Sequence, residues 1–572
     1  MVSMPFPLPP RRVLFLAAAL LAGGGAAAQT GPETPPARPG TPEPSGAFGA
    51  YLAGRLAASE SDTRIAADNL LIVLRIEPNI SEVVARAFTA SVMDGRPDAL
   101  RLARRMPDNP IAALLLTGSD ALAGRWERAE QRLRALPRQG AAQILQPLLL
   151  AWVQQGRGQT DQAIATLRPM IDGGRLRGLH ALHAAMIADI AARPREAERY
   201  IRIAIADSPE PTLRLITLAA GILARSGREA EAGRLLDQLG RSRDDLALAA
   251  VEGARRSILT TRSVATPTEG MAEAQLALAA ALRGQGATEF SLLLTRLALR
   301  IRPGFAPALL MAADALGEEH QDEAALAMLS QVEASDPLAA VAAIRRAVIL
   351  ERMDRNDDAM AELRRLAEAY PRAAQPLTRL GDLLRGRSQW AEAARAYDEA
   401  VGRIASPVAD DWSLYYARGI AQERAGRWPA AEADFRRALE LSPEQPYVLN
   451  YLGYTWVELG QNLAEARAML ERAVELRPAD GNIADSLGWA LYKLGDMPGA
   501  IRWLERAVEL EPRSSVINDH LGDAYWTAGR RAEAHFQWSR ALSLGPEPGE
   551  GPRIETKLRE GMPGPAAAQV QR

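Results

Sequence analysis

The residues able to do chemistry in this chain are few and scattered. Histidine occurs at His180, His183, His320, His520 and His535 only. His180 and His183 share one face of a helix, with Asp189 following, because residues three apart are neighbours on a helical surface. A metal site there would need a third ligand at a matching spacing, and none is present. A half-buried packing face is the reading these residues support. "GRGQTDQ" at 156–162 is glycine-rich only in passing and reads as a turn, not a phosphate cradle. No Gly-x-Ser-x-Gly elbow occurs. The chain has no cysteine, which excludes disulfides, Cys-ligated zinc, thiol nucleophiles and a lipidated Cys. An enzyme needs a convergent acid, base or nucleophile. The expectation is a non-catalytic protein with no metal and no cofactor.

What positions the remaining side chains is a period. "YLGYTWVELG" at 451–460 places three aromatic residues and two glycines on one helical stretch. A helix-interior glycine costs about 1 kcal/mol relative to alanine, so Gly453 needs compensation. The stretches beginning at Asn450, Asp485 and Asp519 share a Leu-Gly pair, an aromatic, a Gly break, an Ala, a bulky apolar residue and a closing Pro. The closing prolines Pro443, Pro478, Pro512 and Pro546 are spaced by 35, 34 and 34 residues, and Pro303, Pro337 and Pro371 by 34. Gly419, Gly453, Gly488 and Gly522 sit mid-way along a first helix, and Ala431, Ala466, Ala500 and Ala534 sit early in a second. Small residues at both places let the two helices approach closely. Phe435, Leu470, Leu504 and Trp538 fill the space between them. Gly426, Gly460, Gly495 and Gly529 end each first helix. The register continues upstream through Leu380-Gly381, Ala393, Tyr397 and Ala400, and recurs near the N-terminus as Gly54, Ala66, Leu70 and Pro78.

This pattern resembles the tetratricopeptide repeat, whose period is about 34 residues. The expected fold is all-α, a right-handed superhelical solenoid of helix-turn-helix repeats, with no period-two strands. Its regions are a signal peptide over 1–28, a Pro-rich linker over 29–46, degenerate repeats over 47–270, clear repeats over 271–546, and a capping helix with a flexible tail over 547–572.

In that family the concave face, lined by first helices, holds an extended peptide or a partner's helix. Counting helical turns from the packing positions assigns Tyr416, Ile420, Glu423, Asn450, Tyr454, Asp485, Trp489, Tyr492, Lys493, Asp519, Asp523 and Trp526 to that face. Aromatics contribute large binding area at low entropic cost, and eight of ten Trp lie after residue 380. Of the opening aromatics, Tyr454 points to the groove, Trp456 packs inward with Leu452, and Tyr451 is unassigned. Asp485, Asp519 and Asp523 stand where chaperone-binding relatives carry a basic carboxylate clamp, so the groove should suit a partner bearing Arg or Lys.

The N-terminus sets the compartment. Arg11 and Arg12, the apolar run Val13–Ala22 and Ala26-Ala27-Ala28 follow the order of a secretory signal, with cleavage after Ala28. The run is shorter than the roughly 20 residues of a membrane span. Six prolines between 29 and 46 make an extended tether. The chain is 48% hydrophobic and 24% charged, with a formal charge of -2, which excludes the basic footprint of a nucleic-acid binder. The layout resembles envelope tetratricopeptide proteins of Gram-negative bacteria, some of which are adaptors presenting cell-wall hydrolases to carboxy-terminal-processing proteases. That resemblance implies a periplasmic scaffold with a protein partner and no small-molecule substrate. Any membrane association would be peripheral, because no Cys is available for lipidation. An assembly scaffold for an envelope or polysaccharide-secretion complex is the alternative.

Overall fold

The computed structural model describes residues 46–137, 141–174, 176–240, 245–547 and 549–562. The expected signal peptide at 1–28, all but the last residue of the expected linker over 29–46, and the expected tail from 563 lie outside them. The described residues form 30 α-helices and two short 3-10 turns, with no strand among them. The helices pair as hairpins in chain order, the helix-turn-helix architecture the repeat implies. No described helix is long and apolar enough to cross a membrane. The chain divides into two units, one of Pro35–Leu383 and one chiefly of Leu384–Arg572.

In the C-terminal unit four hairpins repeat one set of contacts. Their first helices are Trp412–Arg424, Pro446–Leu459, Gly481–Lys493 and Ser515–Thr527; their second helices are Trp428–Leu441, Leu463–Leu476, Met497–Leu510 and Arg531–Ser543. Ala431, Ala466, Ala500 and Ala534 are fully buried, as are Phe435, Leu470, Leu504 and Trp538. A Cβ on Gly453 would lie 3.0 Å from the Ala466 carbonyl oxygen and 3.1 Å from Leu470 Cγ. A Cβ on Gly522 would run into the Trp538 indole. The cost of glycine inside the helix is therefore offset by a contact that any side chain would block. Gly460 takes φ 68° in the left-handed region and stops its helix, where glycine is free of the Cβ penalty. Asp480 accepts from the backbone N–H groups of Asn482 and Ile483 at the start of the next first helix, satisfying donors that the helix cannot. A last single helix, Glu550–Glu560, packs against the final hairpin with Ile554 buried.

The N-terminal unit begins in the same way. A Cβ on Gly54 would lie 2.9 Å from Leu70 Cγ, and Ala66 and Leu70 are buried. It then departs from the one-dimensional rule that each repeat touches only its neighbours. Helix Pro267–Arg283 packs on Ala141–Gly156, Pro110–Leu122 and Arg177–Ile190, and helix Thr288–Ile301 packs on Ser81–Met93 and Pro110–Leu122. The chain thus folds back on its earlier helices. Gln321 Nε2 donates to the Ser61 carbonyl oxygen at 2.7 Å, joining positions 260 residues apart.

Two devices hold this seam. The Trp152 ring lies flat against Gly270, where any Cβ would collide with it. Glu273, almost wholly buried, receives both Nε and Nη2 of Arg214 at 2.9 and 2.6 Å. A buried carboxylate persists only when paired in this manner.

Candidate partner-binding site

The first helices of the C-terminal hairpins stand side by side, and a ladder of hydrogen bonds joins them. Tyr451 Oη donates to Glu423 Oε2 at 3.2 Å. Trp489 Nε1 donates to Glu458 Oε1 at 2.7 Å. His520 Nδ1 lies 2.9 and 3.0 Å from the two Asp485 oxygens. On the terminal helix, Lys557 Nζ donates to both Asp519 oxygens at 2.8 and 2.7 Å and to Asp523 at 2.8 Å. Asp523 also accepts from Trp538 Nε1 at 2.9 Å. In each case the helix that follows supplies the donor and the helix before it the carboxylate.

This ladder redistributes the residues expected to line an open groove. Tyr416, Asn450, Asp485 and Asp519 stand three residues before Gly419, Gly453, Gly488 and Gly522 of their helices, and all four are buried. Tyr416 meets Tyr451 edge-on at 6.0 Å and packs on Phe435 and Trp412, and burial pushes its hydroxyl far above the ordinary tyrosine range. Ile420, Tyr454, Trp489 and Asp523, one residue after the glycine, are buried as well, as is Glu423. The physical reason is the neighbour. Turn-counting on one hairpin finds the face turned away from its second helix, but the adjacent first helix covers most of that face. Asp485, Asp519 and Asp523 are engaged inside the chain, so they are not open charges awaiting an Arg or Lys. Burial, with the Asp519 charge beside it, raises the Asp523 carboxyl above its usual range despite the Lys557 ammonium.

Trp526 is half-buried, and its Nε1 donates to the Met562 carbonyl oxygen at 3.0 Å. The segment around the terminal helix thus covers the outer ends of Asp519, Asp523 and Trp526. Tyr451, unassigned from sequence, is a fully buried packing residue; Trp456 and Leu452 are buried as expected.

What stays open is a smaller platform at the C-terminal ends of three first helices, Pro446–Leu459, Gly481–Lys493 and Ser515–Thr527. Trp489 stacks on Tyr492 at 4.9 Å and 15° and on His520 at 4.0 Å and 16°. Tyr492 is half-exposed, and its hydroxyl hydrogen-bonds the exposed Thr527 at 3.1 Å. Lys493 Nζ sits 3.6 Å from Glu458 and 5.1 Å from the centre of the Trp489 ring. Their side chains are 40% and 30% exposed, so the pair is a rim contact of little energetic weight. Glu458, His520 and Thr527 are members that sequence reasoning missed. The repeat register held a signal for His520, which stands two residues before Gly522 as Tyr451 stands two before Gly453.

The histidine pair of the N-terminal unit has other partners. His183 Nδ1 accepts from Trp152 Nε1 at 2.9 Å, His180 Nδ1 lies 2.8 Å from the Leu176 carbonyl oxygen, and both rings are buried. Burial drives the His183 pKa down to about 3, so it is neutral. Asp189 is held by Arg225 at 2.8 Å and by Arg262. Among the described residues no cluster of three or more His, Asp or Glu could hold a metal ion.

Residues 378–446 and 457–515 match the tetratricopeptide repeat family model. A TPR repeat-containing protein of Pseudomonas aeruginosa is 33% identical over 94 residues, covering 16% of each chain. Bacteriophage adsorption protein A of Escherichia coli K12 is 34% identical over 91 residues, 16% of this chain and 9% of its own length. The chain therefore spans under a fifth of either relative. Among solved structures, YrrB, described as a TPR protein with an unusual peptide-binding site, is matched at 22% identity over 34% of this chain and 97% of its own, with a TM-score of 0.28. The Cut9–Hcn1 hetero-tetramer of the APC/C is matched at 14% identity over 90% and 96%, with a TM-score of 0.37. Residues 378–446 and 457–515 are thus similar to tetratricopeptide repeats, which serve as protein-interaction modules.

Proposed function

We propose that this chain is an exported, non-catalytic scaffold that binds a protein partner in the periplasm through the first-helix layer of its C-terminal repeats. The observation that carries the reading is the platform of Tyr492, Lys493, Glu458 and Thr527 over the stacked Trp489 and His520. It presents Tyr492, a residue type enriched at binding hot spots, on a rigid aromatic stack, with Lys493 and Glu458 forming the polar rim such surfaces carry. Export rests on the charged, apolar and small-residue order of residues 11–28.

The partner reading we favour is recruitment of a carboxy-terminal-processing protease or its cell-wall hydrolase substrates. The alternative is assembly of an envelope or polysaccharide-secretion complex. Both use the same platform, so one capture experiment serves. Tagged protein is used to pull partners from envelope extract, comparing wild type with Tyr492→Ala/Lys493→Glu. These two positions are chosen because Tyr454 and Trp489 are buried and their loss would damage the fold. Co-capture of a periplasmic serine protease supports the adaptor role; outer-membrane or synthase components support the assembly role. Retention of every partner by the double variant would show that the platform is not the binding site.

A further inference from the structure

The fold-back of the N-terminal unit leaves a cavity that no repeat groove accounts for. It holds about 130 Å³ and is lined by Leu100, Leu114, Leu115, Leu297, Ile301 and Gln275, with Gly118, Ser119, Leu122 and Arg300 completing the wall. The lining comes from helices far apart in sequence, brought together only by the seam of 267–301 against 98–122. An apolar hole of about 150 Å³ accepts a benzene ring, so this volume suits one six-membered ring or a branched alkyl group of similar size.

Its polar features are two and lie at different depths. Gln275 is 1% exposed, and its Oε1 has no hydrogen-bond partner. Such a group is costly to leave unmade. A neighbouring hydroxyl satisfies a carboxamide in either orientation, by donating to the oxygen or accepting from the nitrogen. Arg300 is exposed, and no acid pairs with it among the described residues. The exposed Leu122 stands with it at the wall. A guanidinium so placed offers paired donors to a carboxylate.

We propose that this cavity is a binding site for a small hydroxylated apolar acid, in which a ring or branched body fills the leucine-lined space. Its hydroxyl meets the Gln275 carboxamide and its carboxylate meets the Arg300 guanidinium at the mouth. Binding is reversible and no bond is made or broken; the ligand is held, not turned over. The site lies in the unit Pro35–Leu383 and is independent of the C-terminal platform.

The test uses the full chain and three probes measured by calorimetry: 4-hydroxybenzoate, benzoate and phenol. The expected order is 4-hydroxybenzoate tightest, with a dissociation constant on the order of 0.1–1 mM, in keeping with the ceiling per atom for small ligands. Arg300→Gln, an exposed substitution that leaves the fold intact, should weaken 4-hydroxybenzoate about tenfold and leave phenol unchanged. Gln275→Leu should weaken 4-hydroxybenzoate and phenol several-fold and leave benzoate unchanged. If Gln275→Leu fails to fold, Ser119→Leu takes its place and should abolish binding of all three by filling the wall. No saturable binding to 10 mM, or equal binding of all three probes with no response to Arg300→Gln, overturns the proposal.

Discussion

The two units use the same local repeat and close it in opposite ways. In the C-terminal unit every hairpin repeats one contact, a glycine against the residue filling the space between the helices, and one hydrogen-bonded step to its neighbour. The N-terminal unit replaces repetition with single devices: Trp152 on Gly270, Arg214 on Glu273, His183 on Trp152. Repetition spreads stability over equivalent steps, so a lesion at one is felt by its neighbours only. A seam built from unique contacts concentrates it.

The comparison can be broken most forcefully at Trp152. Trp152→Ala should destabilise the N-terminal unit by about 3–5 kcal/mol, removing packing and stranding the His183 nitrogen together. Chemical denaturation should show that transition moving while the C-terminal one stays. A common shift of both would mean that the units do not melt separately. The matching lesion at the other end is Lys557→Met, which leaves Asp519 and Asp523 buried without their cation. A loss of about 3 kcal/mol is expected, confined to the last hairpin and read by hydrogen exchange across 515–543.

Acidification sharpens the contrast further. The His183 imidazole has a folded pKa of about 3 against an ordinary 6.5, so between those values the unfolded chain binds the extra proton. Stability of the N-terminal unit is therefore full above pH 6.5 and falls as pH drops toward 3, by about 2 kcal/mol at pH 5. His183→Phe should flatten that slope between pH 5 and 7; an unchanged slope would assign it to other groups. A smaller effect is expected of Gly522→Ala, whose new methyl meets Trp538: about 1–2 kcal/mol lost despite the better helix propensity. The smallest change in stability, about 1 kcal/mol from the lost stacking on Trp489, is expected of Tyr492→Ala. A larger loss of thermal stability there would make the platform a packing element.

Much of the fold was legible in the residues. Gly453, Ala466 and Leu470 name a close helix contact without coordinates, because only small residues allow it and the 34-residue period repeats it. The candidate site was less legible. Asp485 and Asp519 look like groove charges until His520 and Lys557 are seen across from them, and those partners lie 35 and 38 residues away. Helical periodicity describes one hairpin's faces and is silent on which face the next hairpin covers.

By itself the sequence determined the elements and their local pairing: helices from apolar spacing, stops from left-handed glycines, close pairs from small residues. These follow from backbone sterics and short-range packing, which act within one repeat. Only the tertiary structure decided which carboxylates are spent inside the stack, that Tyr492 and Lys493 remain open, and that 267–301 returns to cover 98–122. Those outcomes depend on contacts between helices tens to hundreds of residues apart, whose partners no period announces.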